Sequence, residues 1–265
     1  MKDELHVKPG DHPHFANRDP GSRLGLEKAE GTKRLEKLQE GLDLLQGRLF
    51  GEGKRSVLLV IQGLDGSGKD GVIRSVFTGV NPQAVEVHPF RAPSASELAH
   101  DYLWRVHAVT PERGTIGVFN RSHYEDVVTV DVLGLVPKDV VRNRPRHIRE
   151  WERMLSEEGT AIVKVFLHVS KDAQAQRFRD RLEDPEKRWK FRAGDLDVRT
   201  RFDAYMALYE EAIAETSTEW APWYVVPADH NWVKSLAVAT LLVDELERMD
   251  PQLPEPDPGV DPDSI

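Results

Sequence analysis

The stretch that decides the fold is Ser56–Asp70, which reads SVLLVIQGLDGSGKD. Its first part, Val57–Ile61, is a continuous apolar run, typical of a strand that is buried on both faces of a parallel sheet. The run leads into Gly63–Lys69, which has the pattern G-x-x-x-x-G-K, and a predicted helix follows it. A strand, a glycine-rich loop and a helix in this order predict a phosphate-binding loop.

The backbone and one side chain of this loop are both suited to anions. Glycines let the chain curl so that consecutive N–H groups point at a phosphate, and the helix N-terminus adds about half a positive charge. The side chain of Lys69 adds a full charge. The loop residues that we expect to contact phosphate are Gly63, Gly66, Ser67, Gly68, Lys69 and Asp70.

Two carboxylates distinguish this loop from that of an ordinary ATPase. Asp70 occupies the position where Ser or Thr normally offers a hydroxyl to Mg²⁺, and Asp65 lies inside the loop itself. Carboxylates beside phosphates repel them unless a divalent cation lies between the two groups. The sequence therefore predicts a phosphate site that depends on a metal ion.

Composition narrows the class of protein. The chain has 265 residues, of which 39% are hydrophobic and 31% charged, enough for one large α/β domain. No apolar run approaches the ~18 residues that span a bilayer, and the N-terminus lacks the apolar core of a secretory signal. The absence of cysteine excludes disulfides and thiolate metal sites. We therefore predict a cytoplasmic protein with no membrane partner.

Charge is distributed unevenly along the chain. The net charge of −9 argues against a nucleic-acid partner. Residues 138–201 nevertheless contain 17 Lys and Arg against 12 Asp and Glu, so this segment carries +5 and the remainder −14. A basic segment in an acidic chain indicates a local anion site, with a set of solvated arginine-rich helices as the alternative.

Predicted strands alternate with predicted helices after the loop. This alternation is typical of parallel β–α–β units, so we expect a single doubly wound α/β domain with a five-stranded sheet. The four strands predicted after the first are Ala84–Phe90, Thr115–Asn120, Ala161–Val169 and Trp223–Val226.

The ends of the chain differ from this pattern. Residues 1–25 are polar and contain three prolines, which predicts a flexible arm, and the Pro-rich residues 251–265 predict a disordered tail. The domain would then cover residues 26–250, with a helix over 26–50. That helix has leucines spaced by three and four residues, which indicates packing on its own domain or, alternatively, a subunit contact.

Polar and basic residues follow several of the predicted strands. Arg91 follows the second strand, Asn120 and Arg121 end the third, and a basic stretch, Arg177–Lys190, follows the fourth. The carboxyl ends of parallel strands lie at one edge of a sheet, so we expect these groups to meet the phosphate loop in one cleft. Lysine and arginine side chains around a metal ion are what phosphoryl transfer requires.

Four motifs together resemble the polyphosphate kinase 2 family over residues 30–250. They are Gly63–Lys69, Phe119–Asp126 (FNRSHYED), Asp184–Phe191 (DPEKRWKF) and Trp220–Tyr224 (WAPWY). The resemblance implies a three-layer, thymidylate-kinase-like P-loop fold with strand order 2-3-1-4-5 and a helical lid over residues 175–195. It also implies reversible, Mg²⁺-dependent transfer of a terminal phosphate between inorganic polyphosphate and a nucleotide.

The resemblance also implies roles for single residues. Asp65 and Lys69 match the family's loop aspartate and loop lysine, and Arg121 matches the arginine of its second motif. The lid arginine matches Arg177 or Arg181. The predicted catalytic residues are Asp65, Lys69, Arg121 and Arg181. Further phosphate contacts are expected from basic residues, of which about half would be merely solvated in the alternative interpretation. These residues are Arg91, Arg177, Lys187, Arg188 and Lys190.

The predicted metal ligands are Asp65, Asn120 and Glu125, and Mg²⁺ is the implied ion, with Mn²⁺ as an alternative. The commonest family pattern has an aspartate where this chain has Asn120. Because asparagine is a neutral and weaker ligand, Glu125 or Asp126 would supply the missing charge. Asp65 is better suited to hold the metal than to act as a base, since a nucleotide phosphate, with a second pKa of about 6, is already mostly deprotonated at neutral pH.

The motif Asn120–Asp126 resembles that of the subgroup acting on nucleoside mono- and diphosphates. The predicted partners are therefore polyphosphate and the nucleotides AMP, ADP and ATP, with GMP and GDP as further acceptors. We also predict a homodimer or homotetramer. Two other functions remain open on the sequence: an ATP-dependent nucleotide kinase of the thymidylate-kinase type, and a non-catalytic P-loop protein that senses nucleotides.

Overall fold

A sheet of six strands lies at the centre of the molecule, and helices cover both of its faces. The structure is a computed structural model that describes residues 1–190 and 193–256. The strands are β1 His6–Val7, β2 Ser56–Gln62, β3 Val85–Pro89, β4 Ile116–Asn120, β5 Thr160–His168 and β6 Trp223–Pro227.

The helices connect these strands along most of the chain. They are α1 Lys2–Leu5, α2 Lys28–Glu52, α3 Lys69–Val76, α4 Ala95–Leu98, α5 Trp104–His107, α6 Val128–Val132, α7 Lys138–Val141, α8 Arg144–Glu157, α9 Lys171–Glu183, α10 Ala193–Thr200, α11 Phe202–Thr216 and α12 Asn231–Met249. Short 3₁₀ turns lie at Phe15–Asn17, Pro82–Ala84, His123–Asp126 and Arg188–Lys190.

The strand order is β1-β6-β5-β2-β4-β3. Strands β2 to β6 are mutually parallel, and counted from β2 they follow the order 2-3-1-4-5 that the resemblance implied. The predicted number of strands was wrong by one, because β1 adds to the edge of β6 in the antiparallel direction. A strand of two residues is too short to show an alternating pattern, so no sequence pattern predicted it.

The apolar run in β2 is buried because the strand contributes side chains to two cores. Val57, Leu59 and Ile61 face a core built with α2, α3 and α12. Leu58 and Val60 face a second core, built with α8 and α11. Successive side chains of a strand point to opposite faces, so a strand covered on both sides must be apolar throughout.

The leucine stripe of α2 packs within the domain. Leu35, Leu42 and Leu49 are buried in the core that α2 shares with α12. This placement favours the first alternative, packing on its own domain, over a subunit contact. Of the helices in the described part of the chain, none combines the length and the apolar composition needed to cross a bilayer.

The N-terminal residues 1–25, predicted to form a flexible arm, contact the domain at several points. Leu5, Val7 and Phe15 are buried, and the Arg18 guanidinium donates to the carbonyls of Glu4 at 2.8 Å and Pro13 at 2.7 Å. Three scattered apolar side chains in a polar segment do not form a periodic pattern, which is why the sequence indicated an arm. At the other end, residues 257–265 lie outside the described residues, so the predicted disorder of the tail stays a prediction.

Two helices that the sequence predicted as continuous are divided. The helix predicted to run from Ser94 to Trp104 is split into α4 and α5, because the Asp101 carboxylate accepts from the N–H of Leu103 at 2.9 Å. Such a local side-chain bond offers the backbone an alternative to the helix. The helix predicted over Asp197–Thr216 is divided between α10 and α11.

A buried ion pair supports the turn at His123–Asp126. The Lys164 ammonium of β5 lies 2.6 Å from the Glu152 carboxylate of α8 and donates to the Tyr124 hydroxyl at 2.9 Å. Both charged side chains are fully buried. Burial lowers the pKa of Lys164 to about 8, against the opposite influence of Glu152.

We expect Lys164→Met to lower the free energy of unfolding by about 3–5 kcal/mol, because Glu152 would remain as a buried carboxylate without its cation. Denaturant unfolding measures this loss. The double variant Lys164→Met with Glu152→Met should recover most of it, since no unpaired charge remains. Equal losses in the single and double variants would contradict this explanation.

Candidate active site

The cleft lies at the carboxyl edge of the sheet, where β2, β3 and β4 end, and has a volume of about 490 Å³. The register of β2 and β4 pairs Ile61 with Asn120, which brings the phosphate loop beside the second motif. Predicted site residues that line this cleft are Asp65, Gly66, Gly68, Lys69, Asp70, Arg91, Asn120, Arg121, Arg181 and Lys187.

Six predicted site residues lie elsewhere or outside the description. Gly63 and Glu125 line a small adjoining cavity of about 60 Å³. Ser67, Arg177 and Arg188 line neither cavity. The side chain of Lys190 lies outside the described residues. Residues 191–192, which belong to the predicted lid, also lie outside them.

The loop requires glycine at two positions, because side chains from other helices pack directly against its backbone there. Gly66 has φ of 87°, and a Cβ there would lie 2.9 Å from Cγ of Gln174. Gly68 has φ of 94°, and a Cβ there would lie 2.0 Å from Nζ of Lys234. Both φ values lie in the left-handed region, which glycine adopts without strain. The glycines therefore allow the curled backbone and the close approach of supporting side chains.

Side chains hold the carbonyl groups of the loop. The Lys69 ammonium donates to the carbonyls of Gly63 at 2.6 Å and Leu64 at 3.2 Å. The side-chain amide of Gln174 donates to the carbonyl of Asp65 at 2.7 Å. Bonds of this kind fix the orientation of the loop's peptide planes before any ligand arrives.

Arg177 supports the loop, contrary to its predicted role as a phosphate ligand. Its guanidinium donates to the carbonyls of Gly66, Ser67 and Asp229, each at 2.9 Å. These carbonyl contacts direct the guanidinium to the back of the loop. Of the two candidates for the lid arginine, Arg181 is the one that lines the cleft.

Asp65, Arg121 and Lys69 form a charged cluster in the cleft. The Asp65 carboxylate accepts a hydrogen bond from the Arg121 guanidinium and lies 3.8 Å from the Lys69 ammonium. Burial by itself would raise the pKa of Asp65, but the two cations outweigh it and hold that pKa below its ordinary value. Asp65 is therefore an anion at neutral pH, as a metal ligand must be.

The backbone at Arg121 is in an unusual conformation. Its φ is 64°, in the left-handed region that few residues with a side chain adopt. Its N–H donates to the carbonyl of Ile61 at 3.0 Å, which extends the pairing of β2 and β4 by one bond. Strain of this kind is found at functional sites, where the surrounding structure holds a side chain in place. With this backbone conformation, the guanidinium of Arg121 lies beside Asp65.

The predicted metal ligands have different surroundings. The Asn120 side-chain amide donates to the Asp70 carboxylate at 2.8 Å, so both lie beside the loop. Glu125 accepts from the Thr129 hydroxyl at 2.7 Å and lines the small adjoining cavity together with Asp65. Asp126 does not line the cleft; it lies 3.2 Å from the Arg105 guanidinium. Among the residues the structure describes, no three His, Cys, Asp or Glu side chains cluster as a ready-made metal centre.

Lys234, Gln174 and Trp189 belong to this region although the sequence interpretation gave them no role. Lys234 lies on the buried face of helix α12, and a charge on a buried helix face was the available signal. Trp189 lines the cleft between two basic positions and is 74% exposed. For Gln174 the sequence held no signal, because only its distance from the loop reveals the contact.

A second cavity, of about 520 Å³, lies under the N-terminal segment and contains none of the predicted site residues.

Comparisons with known proteins agree with this architecture. A model of the polyphosphate kinase 2 family matches residues 25–254. The AMP/ADP-polyphosphate phosphotransferase of Meiothermus ruber is 51% identical over 95% of both chains. The ADP-polyphosphate phosphotransferase of Rhodopseudomonas palustris is 46% identical over 83% of this chain and 80% of its own. The crystal structure of polyphosphate kinase 2 from Arthrobacter aurescens TC1 superposes with a TM-score of 0.93, at 40% identity, over 97% of this chain and 93% of that one.

The family model covers most of the chain, and two relatives exceed 40% identity over more than four-fifths of it. The matched residues span the phosphate loop, the second motif and the segment Asp184–Phe191, not the loop alone. The chain therefore belongs to the polyphosphate kinase 2 family.

Proposed function

We propose that this enzyme transfers the terminal phosphate of inorganic polyphosphate to AMP and to ADP, forming ADP and ATP. The observation that carries the proposal is the convergence of Lys69, Arg121 and Arg181 on one cleft in a chain of this family. The relatives at 51% and 46% identity are named for polyphosphate-dependent transfer to AMP or ADP. Those names favour the proposal over an ATP-dependent nucleotide kinase and over a nucleotide sensor.

The cleft is suited to bring two anions together. An oxygen of the acceptor's terminal phosphate would attack the terminal phosphorus of polyphosphate. The bond from that phosphorus to its bridging oxygen breaks, and the shortened polyphosphate leaves with the electron pair. The guanidiniums of Arg121 and Arg181 and the ammonium of Lys69 would stabilise charge on the transferred group. No general base is required, because the attacking phosphate is already ionised.

Phosphoryl transfer in such kinases generally uses a divalent metal ion, and we propose Mg²⁺, with Mn²⁺ as an alternative. Mg²⁺ is held by one or two carboxylates together with substrate phosphates and water, so a cluster of three carboxylates is not needed. The carboxylates of Asp65 and Asp70 and the amide oxygen of Asn120 lie in the cleft and fit this ion, and Glu125 lies next to Asp65 as a further candidate. When bound, the metal neutralises phosphate charge.

The test is to incubate the protein with long-chain polyphosphate, Mg²⁺ and AMP, without ATP, and to separate the nucleotides. We expect ADP first and ATP afterwards, with parallel reactions on GMP and GDP measuring base preference. An ATP-dependent kinase would form no product until ATP is added. A sensor would bind nucleotide without turnover, and either result would refute the proposal.

Other properties stay predictions. They are the homodimer or homotetramer, the cytoplasmic location, reversibility, and the division into a domain over residues 26–250 with a lid over 175–195. The lid contributes Arg181, Lys187 and Trp189 to the cleft. We propose that it closes over polyphosphate, because its basic side chains are matched in charge to a polyanion.

A further inference from the structure

Two cations hold one carbonyl group of the phosphate loop. The oxygen of Ser67 accepts from the Arg177 guanidinium at 2.9 Å and from the Lys234 ammonium at 2.8 Å. Arg177 belongs to α9 and Lys234 to α12, so two separate helices converge on this atom. Neither side chain lines the cleft, and Lys234 is only 1% exposed.

The position of this carbonyl determines where an N–H group points. In a trans peptide the carbonyl of one residue and the N–H of the next point in opposite directions. The partner of the Ser67 carbonyl is the N–H of Gly68, a residue that lines the cleft. By holding the oxygen from behind, the two cations direct this N–H toward the position of a bound phosphate.

The same arrangement occurs twice more in the loop. Arg177 also donates to the carbonyl of Gly66 at 2.9 Å, and Gln174 donates to that of Asp65 at 2.7 Å. A Cβ on Gly68 would lie 2.0 Å from the Lys234 nitrogen, so this ammonium sits directly against the loop backbone. Side chains therefore hold three consecutive carbonyls of the loop, those of Asp65, Gly66 and Ser67.

We infer that Lys234 and Arg177 are positioning residues, which keep the phosphate loop in its anion-binding conformation through the carbonyl of Ser67. The inference takes its substrates from the proposed function. The contacts that support it are those between the two side chains and the phosphate loop. It differs from the predicted role of Arg177, in which the guanidinium would itself touch phosphate.

The surroundings of Lys234 lower its pKa, and this predicts that phosphate binding depends on pH. Burial lowers the pKa of Lys234 to about 7, and the neighbouring cations Arg177 and Lys69 act in the same direction, against Asp229. A bound polyanion would favour the protonated form. Binding of a phosphate chain should therefore weaken as the pH rises above 7, in part because Lys234 loses its proton.

The test compares Lys234→Met and Arg177→Met with the wild type. Each variant is expected to lower kcat/KM with polyphosphate by about tenfold or more, since a misaligned N–H no longer meets the phosphate. The double variant should lose less than the product of the two single effects, because both residues act on one carbonyl. Binding of inorganic tripolyphosphate, measured by calorimetry at pH 7 and pH 9, should depend less on pH in Lys234→Met than in the wild type.

Lys171→Met is the matched control, because it removes an exposed lysine from the same helix as Arg177 and should behave as the wild type. Fully multiplicative losses, or an unchanged pH dependence of tripolyphosphate binding, would overturn the inference. If Lys234→Met does not fold, Arg177→Met decides by itself, and wild-type kcat/KM in that variant would overturn it. If the wild type transfers no phosphate, the proposed function fails, and tripolyphosphate binding still tests the inference.

Discussion

Asp65→Asn should lower turnover by a factor on the order of 10² or more, with the larger part of the loss in kcat. The substitution keeps the shape of the side chain and removes the charge that pairs with Arg121 and faces Lys69. An amide is a weaker ligand for a divalent ion, so the two phosphates would lose the group that aligns them. Steady-state kinetics with polyphosphate and AMP measures the effect.

Asp203→Asn provides the control for the loss of one carboxylate. Asp203 is exposed on α11 and pairs with Lys171 outside the cleft, so this variant should keep wild-type kinetics. A kcat for Asp65→Asn within a few fold of the wild type would show that the carboxylate does not take part in the transfer. Higher metal concentrations should partly restore activity if the loss is one of metal affinity.

Arg121→Lys should lower kcat/KM by about 10² to 10³, although the positive charge is kept. Arginine presents a planar fork of donors, whereas lysine presents a single ammonium that does not reach Asp65 and a phosphate together. The left-handed backbone at φ of 64° sets the direction of this side chain, which makes the geometry of the fork specific to this position.

Arg153→Lys is the matched control, since Arg153 is exposed on α8 and pairs with Glu157 at 2.9 Å. It should leave both kinetics and stability unchanged. Wild-type activity in Arg121→Lys would mean that this position supplies charge alone. Unfolding measurements on both variants would separate a loss of transition-state contacts from a loss of folded protein.

The lowered pKa of Asp65 predicts which group limits activity at acidic pH. Its pKa is held below the ordinary value by Lys69 and Arg121, so it stays ionised well into the acid range. A loss of activity near pH 6 would therefore report protonation of the acceptor phosphate, whose second pKa is about 6, and not of Asp65.

Much of the fold was predictable because its signals are local. The strand β2 is apolar throughout because it contributes to two cores, and the glycine-rich loop follows it directly. The order of the five parallel strands came from a family resemblance, and the structure has the same order. The edge strand β1 and the packing of Phe15 were not predictable, because they depend on contacts between residues far apart in the chain.

The site was predictable to the level of its motifs. Asp65, Lys69 and Arg121 belong to short sequence motifs, and they line the cleft as the sequence predicted. Lys234 was missed because it lies in the last helix and meets the loop only after the chain has folded. A lysine among the apolar residues of a helix is a weak signal by itself, since long basic side chains often cover apolar surface.

By itself, the sequence determined the phosphate loop, the alternation of strands and helices, and the edge of the sheet at which the cleft lies. Only the tertiary structure decided which cations line the cleft. Arg177 and Arg181 are the same residue type and lie one helical turn apart on α9. The carbonyls of Ala228 and Asp229 capture the first, while the second reaches the cleft, because a guanidinium is directed by the acceptors that packing places around it.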